Sequence, residues 1–136
     1  MQEKGTRPIQ AKRKWKSIAF INKNKVMKSF TDIEQSKKLA EILPIESADM
    51  FYTSLNRDYP WIGIDKHLME VDDIPCWSLL ALLGVLPEPE LIQNQEGTWL
   101  LRIWDNKRFP WSVGGYINPV DACVEMIVKL KENNLL

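Results

Sequence analysis

Apolar residues recur along this chain with two periods, and the switches between them divide it into helices and strands. Thr31-Asp32-Ile33-Glu34 has the spacing of a capping box, in which each end satisfies an orphan amide of a helix start. Ile33, Leu39, Ala40, Ile42 and Leu43 then form one stripe, and Pro44 stops the helix. Residues 48–54 are rich in aromatic and β-compatible side chains and predict a strand. The polar turn Asn56-Arg57-Asp58 leads to a returning strand over 59–64, where Pro60 demands an edge or a strand start. Pro75 stands where an N1 proline would open a helix over 76–86. That helix is apolar around most of its circumference, which predicts a buried central position. Pro87-Glu88-Pro89-Glu90 reads as a stiff loop. Alternation over 98–104 and again over 109–116 predicts a second hairpin, with Gly114-Gly115 marking a bulge. Asn118 as N-cap and Pro119 at N1 open a final helix with the stripe Val120, Cys123, Val124, Ile127 and Leu130.

The predicted order is α-β-β-α-β-β-α, an α+β domain over 27–136. Its expected form is two-layered, with helices covering one mainly antiparallel four-stranded sheet. The turn Asn56-Arg57-Asp58-Tyr59-Pro60-Trp61 matches Asn106-Lys107-Arg108-Phe109-Pro110-Trp111 at Asn, Pro and Trp. Leu79, Leu82, Leu83 and Leu86 likewise align with Cys123, Met126, Ile127 and Leu130. An internal ββα repeat is therefore expected, with convergence of two hairpin turns as the alternative.

Composition adds one asymmetry. Of the 136 residues 45% are hydrophobic and 26% charged, as in ordinary globular proteins. The zero formal net charge is a cancellation. Residues 1–28 hold nine bases and the single acid Glu3, so the remainder carries the opposite excess of eight acids. A basic N-terminal extension over 1–26 on an acidic body attracts polyanions or folds back on its own domain. Lys12, Arg13, Lys14, Trp15 and Lys16 combine charge with a stacking ring, the chemistry of weak, sequence-independent nucleic-acid binding. The competing reading is an extension upstream of a natural start at Met27.

The pattern excludes more chemistry than it proposes. One histidine and two cysteines cannot build a paired-histidine site, a disulfide framework or a zinc cluster. No apolar run approaches the roughly 20 residues of a membrane span, and the N-terminus has no signal-peptide core. A reduced, cytoplasmic setting is expected. Asp72 and Asp73 form a candidate carboxylate pair, although acids at that position more often serve a helix start. His67 with Asp65 and Glu70 is a candidate acid-base or metal group, and Cys76 a candidate thiol. Each has a plainer reading as a solvated or buried side chain, so no catalytic residue, cofactor or metal is expected. Tyr59, Trp61, Trp104 and Trp111 form a candidate partner surface, because hairpin aromatics beyond the needs of a small core suit a protein interface.

The strings EQSKKLAEILPIESADM (34–50), DDIPCWSLLALLGVLP (72–87) and NPVDACVEMIVKL (118–130) resemble an uncharacterised family of small proteins. Its members occur in gut Bacteroides and related bacteria, in their phages and in mobile elements. The resemblance spans about residues 27–131 and implies a start at Met27, but no activity, cofactor or site residue. The resulting expectation is a non-enzymatic interaction module, an accessory protein of a phage or mobile element, acting on an unknown protein partner or by self-association.

Overall fold

The computed structural model describes residues 28–62, 70–104 and 111–136. The basic extension, the His67–Asp65 pair and the turn at 105–108 lie outside the described residues. Among those described, the order is α1 (Ile33–Ala40), a 3-10 turn (Ile45–Ser47), β1 (Met50–Thr53), β2 (Asn56–Ile62), β3 (Ile74–Cys76), α2 (Leu79–Val85), β4 (Pro89–Gln93), β5 (Trp99–Ile103), β6 (Trp111–Tyr116) and α3 (Pro119–Glu132). The α+β class stands. The single four-stranded sheet does not: the strands form two antiparallel sheets of three, ordered β2-β1-β3 and β4-β5-β6.

Both predicted hairpins are present, yet each pairs with a short local strand instead of with the other. β3 comes from residues expected to open the central helix, with Pro75 opposite Phe51 and Cys76 opposite Met50. Pro75 thus sits on a sheet edge, where a missing N–H costs least. Helix α2 starts four residues beyond it, capped by Ser78, whose hydroxyl accepts Ala81 N–H at 3.1 Å. β4 comes from the Pro-Glu-Pro-Glu segment expected to be a loop, with Pro89 opposite Ile103. With β1 and β5 each flanked on both sides, neither central strand has an edge left for the other hairpin.

The same topology gives the repeat no support. The third strand follows the hairpin in the first sheet and precedes it in the second. Phe51 pairs with Trp61, whereas Trp111 pairs with Ile103, two residues away from the position an offset of 50 requires. The bulge at Gly114-Gly115 is present. The register shifts between Trp99 and Leu101, and Gly115 takes φ 84°, a conformation costly for any residue with a Cβ.

The core unites the helices with the second sheet. Helix α3 packs across β5 and β6 and against α2, burying Val120, Cys123, Met126, Ile127 and Leu130 on Leu82, Leu101, Ile103 and Val113. Helix α2 rests on α3 and the 3-10 turn and is not buried all round, since Leu80 is 79% exposed. The first sheet joins through α1 and through Trp77, which is wholly buried directly after β3. Its indole N–H donates to Ser47 Oγ at 2.9 Å, satisfying the polar edge of the ring.

Candidate functional site

The lateral first sheet carries the most exposed apolar side chains of the candidate surface. Tyr59 is 70% and Trp61 59% exposed, and Leu55 at the hairpin tip is 96% exposed. Phe51 and Trp61 are direct cross-strand partners, so their rings share one face of the β1–β2 hairpin. They line a cleft of about 280 Å³ together with Thr53, Ser54, Leu55, Asn56, Glu70 and Asp73. The two acids arrive from the turn that precedes β3. Asp73 Oδ2 accepts Glu70 N–H at 2.9 Å, and Asp73 N–H donates to Glu70 O at 3.0 Å, closing that turn. Arg57 then ties it to the hairpin, with Nη2 donating to Asp72 O at 2.9 Å.

Tyr59 lines a different hollow, of about 500 Å³, with Lys28, Phe30, Tyr52, Arg57 and Asp58 among its walls. Two residues apart in β2, Tyr59 and Trp61 would share a face of a regular strand. A register shift between Phe51 and Thr53 breaks that alternation. Trp111 begins β6 of the second sheet, and Trp104 directly follows the end of β5. Trp111 is half-buried against the core, while Trp104 is exposed beneath the Arg102 guanidinium, 5.7 Å from its ring centroid. The Glu90 carboxylate lies 3.0 Å from Arg102 Nε, so the charges meet, although that N–H is not aimed at an acceptor. The four aromatics are therefore divided, two on β2 of the first sheet and two on or beside the strands of the second.

Among the described residues, the candidate catalytic groups Asp72, Asp73 and Cys76 do not converge. Asp72 is exposed and contributes its backbone carbonyl to Arg57, whereas the Asp73 carboxylate turns back onto its own turn. Cys76 is buried among hydroxyl groups. It donates to Thr31 O at 3.4 Å, receives Thr31 Oγ1 at 3.5 Å, and lies near Tyr52, whose hydroxyl donates to Thr31 O at 2.7 Å. Burial pushes the Cys76 thiol up, against hydrogen bonds from Thr31, Ser36 and Tyr52 that favour the thiolate. A protonated, enclosed thiol is a packing group, not a nucleophile. Among the described residues, no group of three or more His, Cys, Asp or Glu side chains is placed to hold a metal ion. No helix among them is long and apolar enough to cross a membrane.

Two features escape linear reading. One is the meeting of Glu70 and Asp73 with Phe51 and Trp61, which requires the turn at 70–73 to fold back on the hairpin. The other is Lys28. Its Nζ reaches Asp121 Oδ1 at 2.8 Å and Asp32 Oδ2 at 3.2 Å, and donates to Gln35 Oε1 at 3.1 Å. The last base of the basic segment is thus neutralised at the N-termini of α1 and α3. Compared with known proteins, the chain matches no family model, no curated protein and no solved structure.

Proposed function

We propose that this protein is a non-enzymatic interaction module that docks a protein partner on the β1–β2 hairpin. The observation that carries the reading is the exposure of Tyr59, Trp61, Leu55 and Ile62 on a single hairpin set aside from the main core. Large aromatics left in water on a rigid strand are the side chains that anchor interfaces once covered. β2 is also an edge strand of its sheet among the described residues, open to pairing with an added strand. The resemblance to proteins of phages and mobile elements supports an accessory role in such an element. The test compares the proteins retained from host extract by wild type with those retained by a Tyr59→Ser, Trp61→Ser variant. Loss of specific partners, with unchanged circular dichroism and Tm, supports the reading. Identical partner sets for both proteins overturn it.

A second reading, weak nucleic-acid binding through the basic extension, rests on the nine bases of residues 1–28 with Trp15 and Phe20 interleaved. Lys28 is already paired with carboxylates, so at most eight of these bases are available to phosphates.

A further inference from the structure

We infer that the cleft walled by Phe51 and Trp61 and edged by Glu70 and Asp73 receives an arginine side chain presented by the partner. The inference rests on the docking reading above and names the chemistry of its anchor. The two rings face the cleft from adjacent strands, and the electron-rich face of an indole attracts a cation. Both charges among the described lining residues are carboxylates, and the remaining polar neighbours, Thr53, Ser54 and Asn56, are neutral. Aromatic walls with an acidic edge select a cation with a flat apolar surface. Guanidinium meets both requirements, stacking on a ring while its N–H fork addresses a carboxylate, whereas ammonium is a compact and strongly hydrated charge. Size agrees: about 280 Å³ lies just under the range of roughly 300–1,000 Å³ typical of pockets for drug-sized ligands, and suits one long side chain. The turn that supplies the acids is braced by Arg57 and by the hydrogen bonds between Asp73 and Glu70, so its backbone and the Asp73 carboxylate are held in place before binding.

The experiment uses the full chain and two capped tripeptides, acetyl-Gly-Arg-Gly-amide and its citrulline analogue, which keeps the shape and lacks the charge. The readout is the Trp61 indole N–H in proton–nitrogen NMR spectra, assigned through a Trp61→Phe variant. The arginine peptide is expected to shift this resonance saturably, and the citrulline peptide to leave it in place. Glu70→Gln should weaken the arginine response at Trp61 about three- to tenfold while the other indole signals stay put. Equal shifts from both peptides overturn the arginine assignment and leave the docking surface standing. Absence of any shift at Trp61 overturns the cleft as the anchor. Partner retention by the Tyr59→Ser, Trp61→Ser variant reports separately on the docking reading.

Discussion

Lys28 and Asp121 show how single residues bind the chain's entry to its last helix. Burial alone would raise the Asp121 carboxyl, but hydrogen bonds from Lys28, Gln35 and Asn118 and the Lys28 charge outweigh it and hold the group below its ordinary value. Burial likewise works against the Lys28 ammonium, yet Asp121 and Asp32 leave it above its ordinary value. The signs define a window. A depressed carboxyl stabilises above its unfolded value and ceases to do so as pH falls through the folded one. A raised ammonium stabilises below its unfolded value and ceases to do so as pH rises through the folded one. Lys28→Met should therefore cost about 1 kcal/mol in urea unfolding at pH 7, and the difference should shrink once Asp121 is protonated in acid. The thiols predict the alkaline limb. Burial raises Cys76, and raises Cys123 to about 12, so the unfolded chain ionises first and stability should fall above about pH 9. Both thiols should resist a disulfide reagent such as DTNB in native buffer and react fully in denaturant. Fast native labelling of either would contradict their burial.

At the scale of elements, local chemistry and tertiary competition can be told apart. Asn118 accepts Asp121 N–H at 3.0 Å, and Pro119 opens α3 with no partner needed for its missing donor, as the sequence indicates. Asn118→Ala should cost about 1 kcal/mol by thermal or urea unfolding. α1 departs by one residue. Asp32 and Gln35 form its capping box, because Thr31 is drawn into the interior, donating its backbone N–H to Trp77 O at 2.9 Å and accepting Trp77 N–H on its hydroxyl at 3.1 Å. Glu34 satisfies the linear pattern, but the side chain three positions after the true cap decides the box. Leu82→Ala and Ile127→Ala should each cost about 2–5 kcal/mol, since both side chains are wholly enclosed between α2, α3 and the second sheet. Near-zero cost at both sites would exclude this packing.

Across the whole molecule, charge is divided more sharply than composition reveals. If the extension binds nucleic acid, the full chain should retain DNA or RNA at low salt, and affinity should fall steeply as salt rises. Deleting residues 1–26 should abolish that binding while preserving the fold, because Lys28 and its carboxylate partners stay in the chain. Electrophoretic mobility shifts at several salt concentrations check this, and equal binding by both proteins would exclude the extension. Helix periodicity, the Asn118 cap and the glycine bulge were legible in the linear chain, because each is governed by neighbours within a few residues. The first hairpin instead turns at Ser54 and Leu55, and Asn56, Arg57 and Asp58, expected as the turn, begin β2. The split into two sheets was not. Short strands such as β3 and β4 carry almost no periodic signal, and their prolines read locally as a helix start and a loop. They become strands only because β1 and β5 offer them partners. The cleft follows the same rule. Its aromatics were visible as hairpin residues and its acids as a run before Pro75, but their meeting depends on a turn folding back across the hairpin. Sequence alone determined the class of the fold and the aromatic character of its surface. Tertiary pairing decided the sheet order and which side chains face one another, since those contacts join residues far apart in the chain.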